Sequence, residues 1–236
     1  MVDDGAVQGC LRFDADRVRR FTSLEPRVIS IHHLLRPERR RVEAFLESAY
    51  DRAFQGKIRR HYPFLMSVQD RDGQIHAAVG FRFAATEPLF LEQYLDAPAE
   101  AAIAAKLGGP VERKGVAEIG NLASESPGAS LFLFLALASH LDRQGCTHAV
   151  ATATHQLRRG FARAGFLTQP LARAEVGRLT TGAGDWGGYY DRDPEVLAGP
   201  IAPALPALAQ MLLADPIATA EVAPRLHPPL PPEDGQ

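Results

Sequence analysis

Val116-Ala117-Glu118-Ile119-Gly120-Asn121-Leu122-Ala123-Ser124 runs directly into Glu125-Ser126-Pro127-Gly128-Ala129-Ser130. The apolar run from Val116 to Leu122 predicts a strand. Ser126-Pro127 reads as a helix N-cap followed by proline at the first helical position. The helix so opened runs from Ala129 to Arg143 and is nearly all apolar, which predicts burial, and Gly145 is placed to stop it. Thr147 to Thr154 is a second β-rich run, Gln156 to Ala164 a second helix closed by Gly165, and extended chain resumes at Phe166. Strand, helix, strand, helix at this spacing predicts a βαβ unit with parallel strands and a right-handed crossover.

Outward from that unit the rhythm changes. Arg27 to Ile31 reads as a short strand. Val42, Phe45, Leu46, Ala49, Tyr50 and Ala53 recur at helical spacing after Pro37, and Gly56 follows them. Phe64 to Gln69 and Ile75 to Phe83 flank the turn signal Asp70-Arg71-Asp72-Gly73 and predict a hairpin. Hairpin first and βαβ later predicts an α/β fold with a mixed central sheet flanked by helices. Leu89 to Leu95 is a short apolar stretch interrupted by Glu92 and Gln93, and Pro98 to Leu107 is helical. Gly182 to Asp191 is a loop rich in glycine and aromatics. From Pro200 onward lie nine of the chain's 18 prolines, so this end reads as a tail. The expected division is an N-terminal arm over 1–25, one domain over 26–200, and a proline-rich tail over 201–236 with one short helix.

A chain of 236 residues with 46% hydrophobic and 23% charged residues buries a core of its own, which excludes disordered, collagen-like and coiled-coil classes. A net charge of −2 gives no basic field for nucleic acid. Cys10 and Cys146 lie in no C-x-x-C, His32-His33 lack a third ligand at metal spacing, and neither zinc nor a disulfide framework is expected. A reducing, cytoplasmic setting follows, since the first 20 residues hold no apolar signal-peptide core. The longest apolar run, Leu131 to Ala138, falls short of the roughly 20 residues of a membrane span. The phosphate-loop, dinucleotide, H-E-x-x-H and G-x-S-x-G signatures are all missing, which removes nucleotide hydrolysis, dinucleotide redox chemistry, zinc hydrolysis and the α/β-hydrolase triad.

What remains is a strand, a loop and a helix start able to hold an anion, beside a second parallel strand. A gap between those strands would expose backbone groups to an amide-bearing pantetheine arm. Over residues 115–167 this resembles the fold of acetyl-coenzyme A-dependent N-acyltransferases, the GNAT fold with its V-splayed sheet. A wider resemblance, over about residues 28–200, is to the thermostable hemolysin family. It is carried by Arg41 to Tyr50, Gly80 to Phe83, Leu89-Phe90-Leu91-Glu92-Gln93-Tyr94-Leu95-Asp96, Glu118-Ile119-Gly120-Asn121-Leu122-Ala123-Ser124, Leu157-Arg158-Arg159 and Trp186-Gly187-Gly188-Tyr189-Tyr190. That family is related to N-acyltransferases and acyl-homoserine-lactone synthases. The resemblance implies transfer of an acyl group from acyl-coenzyme A, or from the phosphopantetheine of an acyl-carrier protein, to the amine of a small metabolite, with no permanently bound cofactor. Two positions depart from the acyltransferase pattern. Glu125 stands in the pyrophosphate loop, and Phe161 stands where a tyrosine often protonates the leaving thiolate.

On this reading Glu118, an acidic residue in an apolar strand, is the base that activates the amine; its alternative is a structural ion pair with Arg82. Gly120 permits a β-bulge that turns Asn121 toward the same site, or only relieves crowding. Strand alternation places Glu92 and Tyr94 on one face to hold the acceptor, and Arg82 opposite Phe81 and Phe83 to bind an acceptor carboxylate. Trp186, with Tyr189 and Tyr190, lids the acyl pocket. Backbone N–H groups at Leu122, Ala123 and Ser124 polarise the thioester carbonyl. Ser126, Gly128, Ala129 and Ser130 hold phosphate. His155 is a further proton-donor candidate. Phe81, Phe83, Phe90 and the helix 131–141 wall the acyl chain. The basic stretch Arg36, Arg39, Arg40, Arg41, Arg52, Lys57, Arg59 and Arg60 would dock an acidic carrier. The rival functions are a membrane-active hemolysin and a non-catalytic acyl-binding module on the same frame.

Overall fold

The computed structural model describes residues 14–24, 28–34, 37–213 and 225–226. Its strands are β1 (Val28–His32), β2 (Phe64–Gln69), β3 (Ile75–Phe83), β4 (Val116–Ser124), β5 (His148–Ala153), β6 (Gln169–Arg173), β7 (Glu195–Pro200) and β8 (Arg225–Leu226). Its helices are α1 (Ala15–Val18), α2 (Arg39–Phe54), α3 (Ala99–Leu107), α4 (Ala129–Arg143), α5 (His155–Arg163) and α6 (Leu205–Leu212). One mixed sheet has the order β6-β7-β5-β4-β3-β2-β1-β8. β4 and β5 are parallel, as are β1 and β8, and every other pair is antiparallel. The hairpin and the βαβ unit therefore meet where β3 pairs with β4. This is the α/β arrangement with a mixed central sheet that the alternating pattern predicts.

Helices cover both faces. α4 carries no charge before Asp142, and Phe132, Leu133 and Leu135 are fully buried against β2, β3 and β4. Each such side chain contributes about 1.5–3 kcal/mol by leaving water. α2 is amphipathic, and its Val42 and Leu46 lie fully buried on the opposite face against Leu65, Ala78 and Ala123. α6 packs against α4 with Leu208 and Leu212 buried, so Ile201 to Leu213, which the proline count assigned to the tail, belong to the core. The sequence remaining in the expected arm and tail lies outside the described residues, apart from 14–24 and β8.

Two local readings are corrected. Leu89 to Leu95 is not a strand: Phe90–Tyr94 forms a 3-10 turn, and the Glu92 carboxylate caps it by accepting the Leu89 N–H at 3.0 Å. α4 spans Ala129–Arg143 as expected, but its N-cap is Gly128, whose φ of +78° suits glycine, and not Ser126, and no side chain caps the helix. The Ser126 hydroxyl bonds elsewhere.

One tertiary contact explains two glycines. Gly80 and Gly120 face each other across β3 and β4, and the ring of Tyr62 lies on the flat patch they leave. A Cβ on Gly120 would sit 2.2 Å from Tyr62 Oη, and one on Gly80 would sit 2.8 Å from the ring. Gly120→Ala therefore destabilises the fold by about 1–3 kcal/mol through overpacking. In a Tyr62→Ala background the same change costs measurably less, read as denaturant midpoints in a double-mutant cycle. Equal costs in both backgrounds would refute the contact.

Candidate functional site

β4 and β5 pair from Val116↔His148 to Ile119↔Ala151 and no further. β4 then stays with β3 as far as Ala77↔Ser124, while β5 stays with β7 as far as Ala153↔Glu195. Each strand follows its outer neighbour, and a wedge opens at the carboxyl ends of the two parallel strands, where open α/β sheets bind ligands. A bulge sharpens it: Asn121 and Leu122 of β4 together oppose Val79 of β3. The left-handed residue of this bulge is Asn121, at φ +50°, a conformation asparagine tolerates better than most residues. The expected bulge is present, with Gly120 serving the Tyr62 ring instead.

Two pockets flank the wedge and share Ile119. On the α2 face lies a small pocket among Tyr62, Phe90, Tyr94, Asn121, Thr152 and Trp186. Asn121 Nδ2 and Thr152 Oγ1 are buried in its wall, and neither has a hydrogen-bond partner among the described residues. Buried polar atoms are seldom left unpaired, so these two mark a place for a polar ligand or water. Trp186 packs between Phe90 and Tyr189, and the Tyr94 hydroxyl meets that of Tyr190 at 2.5 Å. On the α4 face lies an almost wholly apolar pocket, walled by Phe134, Leu137, Ala138, Leu141, Phe161 and Phe166. Phe81 and Phe83 are not in it; they cluster with Phe64 farther along the sheet, and Phe90 belongs to the other pocket.

Glu118 is 1% exposed, on the α2 face. Its carboxylate accepts the Tyr62 hydroxyl at 3.0 Å and the N–H groups of Phe90 and Leu91 at 2.8 and 3.1 Å. Arg82 Nε lies 3.3 Å away, directly across the strand pair. Burial pushes the carboxyl up to about 6, against the opposing pull of Arg82 and of these three hydrogen bonds. Burial, and the neighbouring carboxylate, also raise Tyr62 well above the usual phenol range, so its hydroxyl stays protonated and donates. Glu118 is not itself a wall of the pocket. It reaches the pocket through Tyr62 and Phe90, which are.

The other expected residues divide. Tyr94 and Trp186 line the α2-face pocket. Arg82 does not: its guanidinium pairs with Glu87 and Glu118 and stacks over Tyr62 at 4.4 Å. Glu92 does not either. Arg113 binds both of its oxygens, at 2.6 and 3.0 Å, and holds its carboxyl down to about 2. Strand alternation misplaced it because the segment is a 3-10 turn. Leu122, Ala123 and Ser124 form the β4 side of the wedge beyond the last β5 pair, and Gly128, Ala129 and Ser130 start α4. Glu125 is paired with Arg52 of α2. The Ser126 hydroxyl is engaged by His76 at 2.6 Å. His155 opens α5 at a separate surface pocket. Tyr62 and Thr152 escaped sequence reasoning; the only signal for Tyr62 was two glycines spaced to meet across a strand pair. Of the basic stretch, Arg39 is 1% exposed and binds the backbone oxygens of His32, Tyr62 and Pro63, so it positions Tyr62 instead of facing a carrier.

Residues 33–205 match the thermostable hemolysin family. Among solved structures, the AHL synthase LasI aligns with a TM-score of 0.54 at 15% identity, covering 80% of this chain and 97% of its own. The CoA-dependent acyl-homoserine lactone synthase BjaI, solved with SAM and isopentyl-CoA, gives 0.54 at 14% identity, covering 79% and 89%. TofI in an apo form gives 0.51 at 17%, covering 81% and 99%. At such identities these likenesses establish the fold. No curated protein sequence matches the chain.

The raised Glu118 carboxyl has a consequence for stability. The folded chain holds this proton more tightly than the unfolded chain, whose value is 4.5. Its contribution is therefore complete below pH 4.5, declines as pH rises toward 6, and then levels. The decline is on the order of 2 kcal/mol. Glu118→Gln removes it, so the stability of the variant relative to wild type rises over that window. A difference that stays flat between those values would refute the assignment.

Proposed function

The chain belongs to the thermostable hemolysin family, and from that premise we propose that it transfers an acyl group from a pantetheine thioester to the amine of a small metabolite. The observation that carries this is the wedge between β4 and β5, with an aromatic pocket holding two unpaired polar atoms on one face and an apolar one on the other. A slender arm entering the wedge pairs its amides with the β4 backbone beyond Ile119. Its acyl chain turns into the apolar pocket beneath α4, and the acceptor occupies the pocket holding Asn121 and Thr152. The fold match to synthases that include one solved with isopentyl-CoA is consistent with such a donor.

Glu118 and Tyr62 act as one relay. The amine attacks the thioester carbon and forms the C–N bond. Its proton passes to Tyr62 Oη as the Tyr62 proton moves to Glu118 Oε1 over their 3.0 Å hydrogen bond. The C–S bond breaks, and the thiolate takes the proton back along the same path. This return matters because Phe161 walls the apolar pocket and has no proton to give. A carboxyl near 6 suits both directions at neutral pH. Asn121 Nδ2, otherwise unpaired, donates to the acceptor or to the thioester carbonyl. Phosphate of the donor sits at the start of α4, where Arg52 offsets the charge of Glu125. Coenzyme A is the favoured donor over a carrier protein. Arg39 is buried, Arg52 and Arg59 are paired with Glu125 and Asp185, and Arg41 binds the Gly73 carbonyl. Arg36 lies outside the described residues, and Arg40, Lys57 and Arg60 are exposed, as are the paired Arg41, Arg52 and Arg59. No helix among the described residues is long and apolar enough to cross a membrane.

A thiol-release screen of acyl-coenzyme A donors against amines tests the reading. Glu118→Gln and Tyr62→Phe each lower kcat by about 10²–10⁴-fold while leaving the fold intact by circular dichroism. Full turnover in either variant would overturn the relay. Ala138→Leu narrows the apolar pocket and lowers turnover of the longest accepted acyl chain about tenfold or more, with shorter chains spared. An unchanged chain-length profile would remove the acyl chain from that pocket.

A further inference from the structure

Away from the wedge, three side chains from separate segments form a relay. Asp70 lies in the β2–β3 turn, His76 on β3, and Ser126 in the loop before α4. Asp70 Oδ2 lies 2.9 Å from His76 Nε2, and His76 Nδ1 lies 2.6 Å from Ser126 Oγ. The carboxylate can only accept, so it takes the Nε2 proton and leaves Nδ1 as the acceptor of the serine hydroxyl. Asp70 is itself held: its other oxygen accepts the N–H groups of Asp72 and Gln74, both at 2.9 Å. The hydrogen bond from His76 is the leading cause that keeps its carboxyl below the ordinary range, and hence ionised. His76 and Asp70 side chains are 13% and 21% exposed, so the relay is sheltered but open to solvent.

These residues line a surface groove with Thr22, Ser23, Arg71 and Asp72, where Leu24 and Pro127 supply the little apolar wall. Nothing in the acyl-transfer reading uses His76 or Asp70. A serine bonded to a histidine that is oriented by a carboxylate is the arrangement of an activated nucleophile.

We propose that Asp70, His76 and Ser126 form a second catalytic site, an esterase centre for small polar esters. Ser126 Oγ attacks the ester carbonyl carbon and gives its proton to His76 Nδ1. The C–O bond to the alcohol breaks, and the alcohol leaves with that proton. Water then attacks the acyl-serine, its proton passing to His76 Nδ1. The carboxylic acid departs as Ser126 regains its hydrogen from His76. Asp70 stays ionised and holds the imidazolium throughout. The polar, shallow groove suits short acyl groups in preference to fatty ones.

The test uses the full chain, a fluorophosphonate probe and p-nitrophenyl acetate, with neither thioester nor amine present, so its outcome is independent of the wedge. The probe modifies Ser126, located by peptide mass spectrometry. Ser126→Ala and His76→Gln each reduce ester hydrolysis at least about 10²-fold, and Asp70→Asn, which keeps a turn acceptor, reduces it less. Thermal unfolding confirms that each variant is folded. A folded wild-type protein whose Ser126 stays unmodified, or a Ser126→Ala variant that hydrolyses the ester at the wild-type rate, would overturn the proposal.

Discussion

The carboxylate of Glu118 is out of water, and four groups hold it there: the Tyr62 hydroxyl, the N–H groups of Phe90 and Leu91, and the Arg82 guanidinium. An unpaired buried carboxylate costs several kcal/mol, so each group is a constraint on the chain that carries it. Tyr62 reaches Glu118 only because Gly80 and Gly120 leave a flat patch beneath its ring. Its loop is held by Arg39, which is buried to bind three backbone oxygens. Phe90 and Leu91 present adjacent N–H groups because their segment is a 3-10 turn, which Glu92 and Arg113 tie down. A single acidic side chain thus organises the hairpin, the 3-10 turn and β4 around one end of the wedge.

That end of the wedge has two chemical faces. The α2 side offers aromatic rings, a half-buried hydroxyl pair and two unpaired polar atoms. The α4 side offers an almost wholly apolar wall. Ile119, the last β4 residue paired to β5, lies at the boundary of both. A molecule with a polar reacting end and an apolar chain fits this division better than one that is uniformly either.

Much of the frame was legible because local patterns and tertiary packing agree. The apolar 129–143 run had no choice but burial, and alternation in 75–83 matched a hairpin strand. Glu118 stood out as a charge in an apolar strand, and its structural pairing with Arg82 was visible as the alternative; both hold at once. The misreadings have a common cause. Glu92, Arg39 and Ser126 read locally as part of a strand face, a carrier-docking basic stretch and an N-cap. Each is claimed by a partner distant in sequence: Arg113, the backbone near Tyr62, and His76. Tyr62 carried no motif at all, since its role depends on two glycines forty positions apart becoming neighbours.

The central claim is that the gap past Ile119 and Ala151 receives a thioester arm with Glu118 and Tyr62 at its reacting end. A crystal structure with a non-hydrolysable acyl-pantetheine thioether measures this directly. The account predicts the arm lying between β4 and β5, its amides hydrogen-bonded to the β4 backbone near Asn121 to Ala123, and its chain under α4. An arm bound elsewhere, or β4 and β5 zipped together beyond Ile119 with the ligand excluded, would contradict it.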